Sequence, residues 1–116
     1  MIHGIGINAV DVPRFKSAME RRGQRFLDRL FTASELEYCL KKNVPEVCLA
    51  ARYAAKRSFI KAMGRRFDLK AVEIKRDADG RPSLVVEGLS ESYRVSLSIT
   101  HDGELSLAET VVEKVE

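Results

Sequence analysis

Arg52, Lys56, Arg57 and Lys61 crowd one helix-forming stretch of the chain. Residues three and four apart share a helix face, so Arg52 and Lys56, with Lys61 one further turn on, make a cationic strip. Arg65 and Arg66 follow beyond Gly64. The chemistry such a strip could carry is phosphate binding. Charge pattern alone gives only a solvated helix face. The small residues Ala50, Ala51, Ala54, Ala55 and Ala62, which let a helix pack closely beside its own cations, favour the phosphate site.

A second stretch is Ser96-Leu97-Ser98-Ile99-Thr100-His101-Asp102. Strand alternation sets Ser96, Ser98 and Thr100 opposite Leu97 and Ile99, with His101 at the strand end. A polar face ending in histidine could bind a ligand, although most such faces are simply solvated. His3, within an apolar strand, reads as a structural, hydrogen-bonded histidine. Cys39 and Cys48 form no CxxC pair and no zinc-spaced cluster, and are expected to be free, reduced thiols, with a disulfide as the lesser alternative. No Ser-His-Asp order, Walker loop or dinucleotide fingerprint is present.

The elements that must position these residues follow from periodicity. Ile2 to Val10 reads as a buried strand whose Gly4 and Gly6 admit another backbone. Asp11 and Pro13 open a helix from Val12 to about Arg22, stopped near Gly23. Phe26, Leu27, Leu30 and Phe31 suggest a further helical turn. Thr32 and Glu35 have capping-box spacing for a helix reaching about Lys42. A long helix then spans about Glu46 to Met63 and ends at Gly64. Beyond it the period shortens to that of strands: Ala71–Lys75, an Asp79-Gly80-Arg81-Pro82 turn, Ser83–Glu87, Val95–Ile99, and Leu105–Val112 after Asp102-Gly103. A short helix is expected at Ser90–Tyr93. The fold class is α+β: an antiparallel sheet meander with a helical segment inserted after the first strand.

The chain has 116 residues, 45% of them apolar, and a formal net charge of +3, which suits a single domain spanning residues 1–116 with an anionic ligand or partner. No apolar run approaches a membrane span and no leader pattern is seen, so a cytoplasmic protein without membrane contact is expected. The basic first helix lacks the aromatic interleaving of single-strand binders, and no nucleic-acid partner is expected.

Five segments carry a resemblance. Gly4-Ile5-Gly6-Ile7-Asn8-Ala9-Val10-Asp11 resembles the GIGxD opening of the holo-acyl-carrier-protein synthases. Arg52-Tyr53-Ala54-Ala55-Lys56-Arg57-Ser58-Phe59-Ile60-Lys61-Ala62-Met63-Gly64 resembles their R(F/W)AAKEAxxKAxG signature, and Ser98-Ile99-Thr100-His101 their strand end. Asp79–Pro82 is similar to the family's DxxGKP-like turn, and Phe31–Glu35 to its LTxxE helix start. The segments fall in order across nearly the whole chain.

The resemblance implies transfer of 4′-phosphopantetheine from coenzyme A to a serine of an acyl carrier protein, by a homotrimer with active sites between subunits. It implies that Arg52, Lys56, Arg57, Lys61, Gly64, Arg81, Pro82, Thr100 and His101 hold coenzyme A, and that Lys61, Glu35 and His101 serve catalysis. The serine's proton acceptor stays open among Glu35, Asp11 and Asp102. Arg14, Met19, Arg21, Arg22, Arg25 and Phe26 would meet the acidic carrier helix. The implied cofactor ion is Mg²⁺, held in the family by the Asp of GIGxD and the Glu of AAKEA. Here those positions are Asn8 and Arg57. Asn is a neutral ligand and Arg cannot ligate at all, so an impaired site is expected. Weakened or metal-independent transfer follows, with a coenzyme A- or carrier-binding pseudoenzyme as the alternative. Arg57 can also bind phosphate bidentately where the metal would stand.

Overall fold

The computed structural model describes residues 1–115. The chain runs β1 (Ile2–Asp11), α1 (Val12–Leu30), α2 (Ala33–Leu40), α3 (Pro45–Met63), a single 3-10 turn (Leu69–Ala71), β2 (Val72–Arg76), β3 (Pro82–Val86), β4 (Tyr93–Asp102) and β5 (Leu105–Lys114). The α+β expectation holds, with all pairing antiparallel and the helices inserted after β1. The strands divide into two sheets: β1-β5-β4, and the separate hairpin β2-β3.

Helix α3 is the centre of the molecule. It lies on one face of the three-stranded sheet, and the contact is backbone on backbone. A Cβ on Gly4 would fall on the carbonyl oxygen of Ala62, and one on Gly6 on that of Ser58. Side chains at these two positions are therefore incompatible with the helix lying where it does. Leu49, Ala50, Ala54, Ala55 and Phe59 of α3 are fully buried. Around its N-terminal half pack Phe15, Leu27, Phe31, Leu36 and Ile74; around its C-terminal half, Val72 and Val112.

The helix ends obey the local signals. Asp11 Oδ1 accepts the Arg14 amide at 2.9 Å. Thr32 Oγ1 accepts the Glu35 amide at 3.2 Å, and Glu35 Oε1 accepts the Thr32 amide at 2.9 Å, completing the capping box. Gly64 ends α3 in the left-handed conformation, at φ 75°. Gly23 breaks α1 at φ 72° and ψ −157°, but helix resumes and carries Phe26 to Leu30.

Three expectations are corrected. Strand β1 is not buried throughout: Ile2, Ile5 and Ile7 are 53%, 61% and 56% exposed, because the glycines occupy the face against α3 and alternation turns the isoleucines outward. Ser90–Tyr93 is a turn, in which Ser90 Oγ accepts the Ser92 amide, and β4 begins at Tyr93. Cys39 and Cys48 are not free thiols. The chain reverses between α2 and α3, bringing their Cα atoms to 5.5 Å, and the two form a disulfide. A sequence separation of nine gave no hint of that reversal.

Candidate functional site

The expected site residues fall into three places in one chain. The first is the junction of α3 with β1. Lys61 Nζ donates to Asn8 Oδ1 at 2.9 Å and to the Ile7 carbonyl at 3.0 Å. Asn8 is half-buried on the helix-facing side of β1, and Lys61 reaches it from the last turn of α3. Beside them opens a cleft of about 440 Å³ lined by Asn8, Asp11, Arg14, Tyr53 and the exposed Arg57.

The second place is a basic cleft of about 350 Å³ on the other side of α3, lined by Tyr38, Lys42, Arg52, Arg76 and His101 among others. Arg52 is only 3% exposed. Its guanidinium lies over the Tyr38 ring, 4.5 Å from the centroid, and touches Cys48 Sγ at 3.5 Å. Its Nε is buried without a hydrogen-bond partner. Burial pushes the Arg52 guanidinium down from its ordinary range, and the Arg76 charge adds to this, while Glu35 and Tyr38 oppose it. Among the described residues, no carboxylate forms an ion pair with Arg52. A buried guanidinium crowded by further cations is short of negative charge, and an entering anion would supply it. His101 sits at the rim, its Nδ1 3.1 Å from Ser106 Oγ, the residue directly opposite it in the β4-β5 ladder.

The third place is internal. Lys56 and Glu35 pair at 2.6 Å and are both buried. Lys56 Nζ also donates to the carbonyls of Leu30 and Leu69, at 2.9 and 2.8 Å. Glu35 Oε2 accepts the Ile74 amide at 2.9 Å. Burial pushes the Lys56 ammonium below its ordinary range, against the hydrogen bond and charge of Glu35. The pair ties α2, α3, the 3-10 turn and β2 together. Neither group faces solvent within the chain.

The remaining expected residues lie around these places. Gly64 caps α3, Arg81 closes the β2-β3 turn, and Pro82 opens β3 opposite Arg76. Arg76 links that turn to the basic cleft by donating to the Gly80 carbonyl at 2.7 Å. Thr100 opens on the outer face of the sheet, beside Ile7, Ser98 and Leu107. Arg14, Arg21, Arg22 and Arg25 are exposed along α1, with Met19 and Phe26 half-buried and Arg22 stacked 4.8 Å from the Phe26 ring centroid. Sequence reasoning missed Tyr38, Lys42, Arg76 and Ser106. Only Ser106 carried a signal, since the Asp102-Gly103 turn sets it opposite His101.

The Mg²⁺ implied by the resemblance does not fit the groups present. Asn8 Oδ1 and the Ile7 carbonyl already accept from an ammonium, Arg57 has no lone pair to offer, and Asp11 Oδ1 caps α1. Among the described residues there is no group of three or more His, Cys, Asp or Glu side chains placed to hold a metal ion. No helix of the described residues is long and apolar enough to cross a membrane.

Comparison with known proteins gives one answer throughout. Residues 4–111 match the family model of the 4′-phosphopantetheinyl transferase superfamily. The holo-[acyl-carrier-protein] synthase of Clostridium kluyveri is 37% identical over 128 residues, covering 100% of this chain and 95% of that protein. The crystal structure of the Neisseria meningitidis holo-[acyl-carrier-protein] synthase superposes with a TM-score of 0.87 at 33% identity, covering 98% of this chain and all of that one. The Bacillus anthracis holo-(acyl-carrier-protein) synthase, solved in complex with CoA (3′,5′-ADP), superposes at 0.85 with 29% identity and 98% of both chains covered.

Proposed function

The chain belongs to the 4′-phosphopantetheinyl transferase superfamily, among its holo-acyl-carrier-protein synthases, and on that premise we propose that it transfers 4′-phosphopantetheine from coenzyme A to a serine of apo-acyl carrier protein. The observation that carries this reading is the basic cleft around Arg52, a buried cation without a carboxylate partner, in a fold shared with a coenzyme A-bound relative.

In the reaction the serine hydroxyl attacks the β-phosphorus of coenzyme A. A phosphorus–oxygen bond forms to the carrier, the bond to adenosine 3′,5′-bisphosphate breaks, and the serine proton goes to a base. Phosphoryl-type transfer depends chiefly on positioning and on stabilising charge at the departing oxygens. Lys61, Arg57, Arg52 and His101 are assigned the charge. Asp11, which lines the Asn8–Arg57 cleft, is assigned the proton. Glu35, with both oxygens bonded inside the protein, is assigned to the framework, together with Lys56.

The two clefts lie on different sides of α3, so one chain does not present Lys61 and His101 to a single ligand. A second copy would supply the missing half. The outer face of the three-stranded sheet supports a homotrimer assembled through it. There Ile5, Ile7 and Leu105 are exposed, and Leu107 and Val111 half-exposed. Leu97 and Ile99, equally apolar in the sequence, instead pack into the chain's own core.

Arg21, Arg22 and Arg25 suit an acidic carrier helix: all are exposed, and none is in an ion pair among the described residues. The test is to weigh apo-carrier proteins after incubation with coenzyme A and this chain. A gain of about 340 Da, the mass of the covalent modification, is expected. Arg21→Glu with Arg25→Glu should slow that gain, with coenzyme A affinity unchanged, and the native rate should fall as added salt shortens the roughly 10 Å screening length. Coenzyme A binding with no mass gain on any carrier would instead make the chain a binding module.

A further inference from the structure

Lys61 and Arg57 bring donors to the cleft beside Asn8, against a single carboxylate, Asp11. Lysine has no acceptor, so Lys61 fixes the Asn8 amide with its oxygen toward the ammonium, and the amide NH2 becomes a donor on the other side. Arg57, exposed on the same cleft, adds a planar fork of further N–H groups. We propose that this set, Lys61, Asn8 and Arg57, grips the diphosphate of coenzyme A directly, with no divalent cation between protein and phosphate.

The inference rests on the reading that the chain binds coenzyme A, and deepens it. Magnesium demands several hard oxygen ligands, preferably anionic, in a near-octahedral shell. The two oxygens that β1 offers, on Ile7 and Asn8, are held at 3.0 and 2.9 Å by a cation already. A divalent ion entering there would have to displace the ammonium and then sit beside it and Arg57. The one carboxylate lining the cleft, Asp11, has an oxygen engaged by the Arg14 amide. A diphosphate has the opposite character. It brings anionic acceptors to a set with donors and net positive charge, and a guanidinium can take two of its oxygens at once.

A carboxylate at position 8 would compete with phosphate for Lys61, and a second at position 57 would repel the diphosphate until a cation intervened. The geometry thus accounts for Asn8 and Arg57 as one coupled change, with Lys61 as the group that makes the amide at position 8 useful.

The experiment is calorimetric titration of coenzyme A into the full chain, in chelator and in excess Mg²⁺, with carrier modification weighed in parallel. The native chain should bind in chelator, and Mg²⁺ should not tighten binding. Arg57→Ala should weaken binding by about ten-fold to a hundred-fold in both buffers, as expected for losing a charge-assisted contact to phosphate. Asn8→Asp with Arg57→Glu should bind only in Mg²⁺. Magnesium that tightens native binding by about ten-fold or more would overturn the proposal. So would an Arg57→Ala chain that binds as the native one does, or a native chain that binds coenzyme A in neither buffer. Carrier modification together with Mg²⁺-dependent binding would sink this inference and leave the transferase standing. Metal-free binding with no carrier modified would do the reverse.

Discussion

Replacing Glu35 by glutamine should destabilise the folded chain by about 3–5 kcal/mol, the usual penalty for leaving one member of a buried ion pair without its partner. Lys56 is fully buried; its ammonium bonds to Glu35 and two carbonyls and lies 5.3 Å from the centroid of the Phe31 ring, so Glu35 is its one ion-pair partner among the described residues. Glutamine preserves shape but has one oxygen where Glu35 uses two, so the loss combines the charge with the acceptor of either the Thr32 or the Ile74 amide. Urea denaturation measures it. The pH dependence gives a second signature. Burial holds the Lys56 ammonium below its ordinary range, and Glu35 is what raises it. Without Glu35 the folded chain should release that proton still more readily, while the unfolded chain keeps it up to the ordinary lysine range. Stability rises with pH wherever the unfolded state binds more protons. The deficit of the Glu35→Gln chain should therefore shrink as pH rises through that window. Glu35→Gln with Lys56→Met should recover part of the loss at neutral pH. A Glu35→Gln chain as stable as the native one would mean that the pair is not the internal tie described here.

Ile7→Glu should leave the fold intact and abolish the assembly. Ile7 is 56% exposed within one chain, and substitutions at open positions usually change stability by less than about 0.5 kcal/mol. On the outer sheet face it lies between Ile5 and Ala9, with Glu109 opposite it on β5. A second carboxylate there, buried against a neighbouring copy and facing Glu109, would be desolvated beside a like charge. Light scattering should show a trimer for the native chain and a monomer for the variant. With the site divided between copies as proposed, carrier modification should fall by about a hundred-fold or more, equivalent to removing at least two tenfold steps in rate. Full activity in a monomeric variant would contradict the intersubunit reading.

Much of this architecture is legible in the sequence because it rests on local rules. The Thr32–Glu35 capping box, the Asp11 cap and the Gly64 stop are each set within a few residues, and all three appear as expected. Gly4 and Gly6 foretell the close approach of α3, since only a facing backbone needs their missing side chains. The misreadings come where distant elements meet. An Ile-rich strand looks buried, but which of its faces is covered depends on α3. The disulfide depends on the reversal between α2 and α3. Lys56 looks like part of a cationic strip along with Arg52. The structure separates them, since Glu35, eleven residues before the start of a readable α3 at Glu46, reaches Lys56 and turns it inward. Arg76 and Lys42 come from opposite ends of the chain's middle, and no spacing rule joins them to His101.

The most direct test of a transferase site shared between copies is subunit complementation. Lys61→Ala and His101→Ala each alter an exposed residue, one at each cleft. Each variant alone should modify apo-carrier protein poorly. Co-expressed with separate tags and purified through both, the mixed trimers should regain activity. Every mixed trimer, whichever variant is in the majority, closes with one interface in three carrying both native residues, so about a third of its sites are intact. Recovery toward that fraction of the native rate is the predicted result. Mixed trimers no more active than either parent would show that Lys61 and His101 do not meet across an interface, and would contradict the account.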